Sequence, residues 1–300
     1  MNTLFQKTSS HWVRYSEYEY KTGDDGTLYI VPAEKATLDI YDPIKDAEHM
    51  VVDALNTGLL CMRKLDSEEA KRAVLDFITR YGFLGLMTAL PTTPEFMIYD
   101  TVYLPKNHFI KDESMPVEEY ASLFFPFEKM EYYKGKEGSV MWDITDKYMA
   151  ALALTMDDKP MALSMSFQRQ YAERYDWLAT QCKDWAFTFI TSFLYYEDYE
   201  QIDETTRDLY RQGMAAFGGI APTYRIMLLD KPAIVWDFHS LLLGIQMMFS
   251  FMLTDEKQPL RGCKHCTKVF AAKHPKAEFC SPQCKNQYNV YKSRSRKQGK

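Results

Sequence analysis

Four cysteines near the C-terminus constrain this chain more than any other feature. Two residues separate Cys263 from Cys266, three separate Cys280 from Cys284, and a thirteen-residue loop lies between the pairs. Four of the chain's six cysteines thus fall within twenty-two residues. Thiolates at this spacing can close a tetrahedron around one zinc ion, roughly 2.3 Å from each sulfur. A site closed by four thiolates has no open position for water or substrate, so the ion it holds is structural. Its binding free energy, on the order of 10–16 kcal/mol in zinc-finger peptides, folds segments too short to bury a core of their own. Buried free thiols and two disulfides are the competing readings. The N-terminus shows no charged-then-apolar signal pattern, which sets the expectation of a cytoplasmic chain with reduced thiols.

Charge divides the chain at the same place. From Arg261 to Lys300 there are eleven Lys or Arg against the single acid Glu278, a balance of +10. The remaining residues hold 25 of the 36 basic and 40 of the 41 acidic side chains, a balance of −15 that the overall −5 conceals. An acidic body with a basic tail points to a polyanion contacted by the tail alone, or to a tail folded back on the body. Hydrophobic residues make up 46% and charged residues 26%, the proportions of a globular protein.

The body, residues 1–256, reads as α+β and mainly helical, with a few strands near its start. Trp12 to Tyr15 and Tyr18 to Tyr20 read as one strand, followed by a turn at Gly23-Asp24-Asp25-Gly26 and strands at Thr27 to Val31 and Thr37 to Tyr41. Pro43 at a first turn, with Asp42 before it, starts a helix through Arg63; Ser67 starts another that the glycines of Tyr81 to Leu86 end or bend. A short strand is expected around Thr101 to Leu104, and helices at Val117 to Tyr133, at Asp143 to Leu154 and from Arg207 to Phe217, the last ended by Gly218-Gly219. Tyr171, Tyr175, Leu178, Cys182, Trp185 and Phe189 alternate steps of four and three, one apolar stripe on a helix over Phe167 to Ser192. Cys61 and Cys182 then read as core residues. Five acids between Glu197 and Glu204 read as a solvated turn, because no alternating-oxygen ligand loop follows them. A strand is expected over Tyr224 to Leu229. Asp237 reads as the start of an apolar helix to Leu253. Its seventeen residues without a charge are at the lower limit for a membrane span and suit a core helix better.

No phosphate loop, dinucleotide fingerprint, His-Glu-x-x-His or Gly-x-Ser-x-Gly is present, so no residue is nominated as catalytic and no enzyme activity is inferred. The chemistry lies in the tail, residues 257–300. Ser281 and Pro282 suit the cap and first position of a helix to about Lys297, and Cys284 sits in its first turn. Lys285, Asn289, Lys292 and Arg296 recur at intervals of four, three and four, sharing one face flanked by Arg294 and Lys297. Basic side chains suit phosphates, and the amides of Asn286, Gln287 and Asn289 suit base edges, adenine above all.

The tail resembles the C-terminal zinc finger of the CGNR-type family, bacterial proteins regarded as transcription regulators. The resemblance covers about forty residues and rests on Arg261, the paired cysteines, Phe270, Phe279-Cys280-Ser281, Asn286, Val290, Arg294 and Arg296. The chain reads Cys284-Lys285-Asn286-Gln287 where the family has glycine second and arginine fourth. The resemblance implies a helical sensor-like domain running into a DNA-binding finger. The sequence reading is a bacterial or phage transcription regulator with one structural zinc ion, contacting DNA through the tail helix. A homodimer or a small-molecule effector on the large domain would modulate it. RNA binding, or a finger that serves only protein interaction, are the alternatives.

Overall fold

The computed structural model describes residues 8–91, 101–127, 169–197, 200–216, 223–228 and 231–298. The architecture is α+β, with small sheets set around a helical core. Strands β1 (Thr8–Ser9), β2 (Trp12–Tyr15), β3 (Tyr18–Thr22), β4 (Leu28–Pro32) and β5 (Leu38–Tyr41) come first. Residues 12–20, read from the sequence as one strand, are two. β2 pairs antiparallel with β5, whereas β3 pairs with β4. The chain breaks because Ser16 N–H donates to the Thr37 carbonyl while the Tyr18 hydroxyl folds back to accept from Tyr15 N–H at 3.0 Å. The turn at Gly23 to Gly26 closes through the Gly26 N–H on the Gly23 carbonyl, as its composition indicates.

A 3-10 turn at Pro43–Asp46, capped by the Asp42 carboxylate on Ile44 N–H, feeds helix α1 (Ala47–Arg63). Ser67 caps α2 (Glu68–Tyr81) through Ala70 N–H. α2 ends at Gly82, whose φ of 84° is open to glycine and whose missing side chain lets the Val13 carbonyl approach; a Cβ there would lie 2.3 Å from that oxygen. Short helix α3 (Leu86–Ala89), strands β6 (Thr101–Tyr103) and β7 (Ser114–Pro116), and helix α4 (Val117–Ser122) follow. The helix expected over Val117 to Tyr133 is shorter: it ends at Ser122 as α4, residues 123–127 run in turns and bends around Pro126, and the remaining positions lie outside the described residues. The one expected at Asp143 to Leu154 lies outside the described residues.

Two-residue strand β8 (Glu173–Arg174) extends the β3–β4 sheet and leads into α5 (Tyr175–Glu197). The helix therefore starts later than the apolar stripe suggests. Tyr171 precedes it, yet is 1% exposed, because its hydroxyl donates to Glu173 and its ring packs on Phe83 and Phe124. The rest of the stripe is buried against α1. That pairing is close: a Cβ at Gly58 would sit 2.0 Å from the Cys182 carbonyl oxygen. Cys61 and Cys182 lie buried here, where burial raises the Cys61 thiol to about 11 and the Cys182 thiol well above its ordinary value. Both are core residues.

Helix α6 (Glu204–Ala216) begins after the acidic turn, with Asp203 accepting from Thr206 N–H and Glu204 paired with Arg207 and Arg211. Gly218-Gly219 lie outside the described residues. Strands β9 (Thr223–Leu228) and β10 (Pro232–Asp237) pair antiparallel, and β1 joins β10 in parallel. Asp237 thus ends a strand and does not open the apolar helix. Ile234, Val235 and Trp236 are β-formers with a partner strand at hand, and His239, at φ 57°, breaks the chain before Ser240 caps α7 (Leu241–Leu253). Among the described residues no helix is long and apolar enough to cross a membrane.

Glu173 lies at the centre of the core, fully buried. Its carboxyl accepts from Leu84 N–H at 2.9 Å, Leu86 N–H at 2.7 Å and the Tyr171 hydroxyl at 2.6 Å, fixing the loop between α2 and α3. Burial lifts its pKa from 4.5 to about 7 against the pull of those donors.

Candidate metal centre

The tail opens with an antiparallel ribbon, β11 (Leu260–Gly262) paired with β12 (Val269–Ala271). Between them the chain folds into a knuckle. Thr267 N–H donates to the Cys263 carbonyl, Cys263 N–H to the Lys268 carbonyl, and Thr267 takes a left-handed φ of 63°. This puts Cys263 and Cys266 on the same side. The returning chain is tied to the knuckle by Lys264 N–H on the Glu278 carbonyl and by the Lys264–Glu278 ion pair. It delivers Cys280 just before helix α8 (Pro282–Gln298). Ser281 Oγ accepts from Cys284 N–H at 3.2 Å, so the capping hydroxyl also sets the position of the fourth cysteine.

The four sulfurs lie within 4.8 Å of one another. Cys266 Sγ is 3.7 Å from Cys280 Sγ, which is 3.5 Å from Cys284 Sγ. A regular tetrahedron with metal–sulfur bonds of roughly 2.3 Å has edges of roughly 3.8 Å. The spacing therefore suits a tetrahedral ion with four sulfur ligands. Charge points the same way. Burial opposes a thiolate at Cys263, but backbone N–H groups of Cys266, Cys280 and His265 outweigh it and bring that thiol to about 6. Burial and the neighbouring sulfurs push Cys280 up to about 12. Four thiols this close cannot all ionise by themselves; a cation among them removes the conflict.

One wall of the centre belongs to the body. Asn56 on α1 holds the β12 backbone from both sides of its amide: Nδ2 donates to the Val269 carbonyl at 3.0 Å and Oδ1 accepts from Val269 N–H at 2.8 Å. Val269 and Leu260 are buried in the same apolar core as α1. Arg63, at the end of α1, reaches the Thr267 hydroxyl at 3.4 Å. A cleft of about 380 Å³ opens beside this joint, lined by Asp53, Arg63, Asp76, Arg80, Cys266 and Lys268 among others. Neither Asn56 nor Arg63 carries a local sequence signal, since each lies more than two hundred residues from its partner.

α8 presents two flanks. Cys284, Tyr288 and Tyr291 face the knuckle, where Tyr288 packs on Phe279 with ring centroids 5.2 Å apart and Tyr291 stacks on His265 at 5.7 Å. One residue further on, Lys285, Asn289 and Lys292 form an exposed flank, joined by exposed Asn286 and Arg294. Lys292 Nζ lies 5.9 Å from the Tyr288 ring centroid. Arg296 and Lys297 belong to the last turn of the helix. Gln287 is set apart from the other amides, because its Oε1 bonds His265 Nε2 at 2.8 Å and ties the helix to the knuckle. The four expected ligand cysteines come together, and the basic positions share one helix.

No protein-family model matches the chain, and neither a curated protein nor a solved structure matches it.

Proposed function

We propose that the four cysteines hold one zinc ion and that α8, fixed by it, binds nucleic acid, with duplex DNA as the target. The observation that carries the reading is the division of α8: one flank anchored on the knuckle, the other exposed and bearing Lys285, Asn289 and Lys292 in register. Zinc suits a closed set of four thiolates, and it supplies the charge that lets all four ionise. Lysines on the exposed flank would meet phosphates, and Asn286 and Asn289 are free of the knuckle contact that engages Gln287, leaving them to read base edges. The acidic body repels DNA and confines contact to the tail. The resemblance to CGNR-type fingers agrees with a transcription regulator, and that role is part of the proposal.

The test is fluorescence anisotropy of labelled duplex DNA titrated with the full chain across a salt series, with and without a strong chelator. With roughly four phosphate contacts, log affinity should fall with log salt at a slope of about −3 to −4. Chelation should abolish binding. Combined Lys285→Ala, Asn289→Ala and Arg296→Ala should weaken it at least ~10-fold with bound zinc unchanged. No binding at low salt with one zinc per chain refutes DNA as the target.

A further inference from the structure

The hairpin of β9 and β10 has an apolar face that the described residues leave open. Strand alternation puts Tyr224, Ile226 and Leu228 on one face of β9, and the register sets them opposite Trp236, Ile234 and Pro232 of β10. Tyr224 is 62% exposed, Ile226 73%, Leu228 84% and Ile234 43%. These four residues together expose roughly 500 Å², backbone included, within the range of the largest apolar patch on an ordinary monomer. β9 is also an edge: among the described residues no strand pairs with its outer side.

We propose that this face is the interface of a homodimer, in which the β9–β10 hairpins of two copies pack face to face across a twofold axis. Two properties favour a second copy over a different partner. A twofold interface sets each surface against itself, so a charged patch would repel its own image, whereas these six positions carry no charge at all. Residues 1–260 carry −15, so an apolar island among them suits an equally acidic partner only if charge is left out of the contact. The area also fits. A standard interface buries roughly 800 Å² per partner, and the apolar centre supplies more than half of that before any polar rim is added. Ile226, midway along β9, would lie nearest the axis.

The test is the mass of the full zinc-loaded chain by light scattering over a concentration series. The expected mass at micromolar concentration is twice the monomer's 35.1 kDa. It should persist at roughly 0.5 M salt, since the contact is apolar and screening does not weaken it. Ile226→Lys and, separately, the milder Ile226→Thr should shift the species to monomer, with far-UV circular dichroism and bound zinc unchanged. Hydrogen exchange on the unmodified chain gives an answer that needs no variant: residues 223–228 should gain protection as concentration rises. A monomer at every concentration overturns the proposal and assigns the face to a different partner or to another segment of this chain. A dimer that survives both folded variants, or one formed without protection at 223–228, overturns it as well.

Discussion

Asn56→Leu tests how the body holds the finger. The side chains match in size, so the joint keeps its packing and loses only its polar contacts. Those are the Nδ2 bonds to the Val269 carbonyl and, within α1, to the Val52 carbonyl, and the Val269 N–H bond to Oδ1; the two that reach β12 are made around Val269, which is 2% exposed. Two net hydrogen bonds are worth about 1 kcal/mol each, and two backbone groups left buried without partners add to the loss, for a total of about 2–4 kcal/mol. Because the bonds join α1 to β12, the loss falls on the equilibrium between a docked and an opened ribbon. At 1.4 kcal/mol per factor of ten, the opened population should rise about 30- to 1000-fold. Hydrogen exchange at the Val269 amide reads that population directly, and transfer of the metal to a chelator should accelerate with it. Unchanged exchange at Val269 in a folded variant would refute the reasoning. The ribbon would then be held by the apolar contacts of Leu260 and Val269 alone.

Two further outcomes follow from the core. Gly58→Ala drives a methyl to 2.0 Å from the Cys182 carbonyl and 2.7 Å from Ala186 Cβ, forcing α1 and α5 apart; stability should fall by about 3 kcal/mol, read from the denaturant midpoint. Glu173 has a folded pKa of about 7 against an ordinary 4.5, so between those values the folded chain holds the proton more tightly than the unfolded chain. Its contribution is fully present below pH 4.5 and is lost as pH rises through about 7, a decline on the order of 3 kcal/mol. Glu173→Gln cannot titrate, so the difference in stability between wild type and variant should carry that slope. Any effect of acid on the metal centre is common to both and cancels.

Local chemistry made much of this fold legible. Ser281 was readable as a cap, and Ser67 and Asp42 as marking helical starts, because capping depends on residues two or three positions away. The cysteine knuckle was readable for the same reason. What escaped depended on distant partners. The break at Ser16 needs Thr37 to receive it. The strand ending at Asp237 needs β9 beside it, and without that partner its apolar run continues smoothly into α7. Glu173 lies between Tyr171 and Tyr175 of the apolar stripe but off its spacing, and nothing local marks this acid for full burial. Its environment is assembled from a loop almost ninety residues earlier. Asn56 sits on an amphipathic helix where one more polar residue draws no notice, and only the returning tail gives it a role.

The finger is supported from two directions. Cys263 and its three companions close the side toward α8, while Asn56, with the apolar core around Val269 and Leu260, closes the side toward α1. The two supports act on different parts. The ribbon keeps its contacts to α1 whether or not the sulfurs hold an ion. Among the described residues α8 is tied instead to the finger itself, through Phe279–Tyr288, His265–Tyr291 and His265–Gln287. Loss of the ion should therefore release α8 first and leave β11–β12 docked on the body. With an ion held by the four sulfurs, the helix would answer to it for its direction and to α1 for its place on the molecule. Changes at the α1 joint would then shift the whole finger relative to the body, while changes at the cysteines would alter only where the helix points.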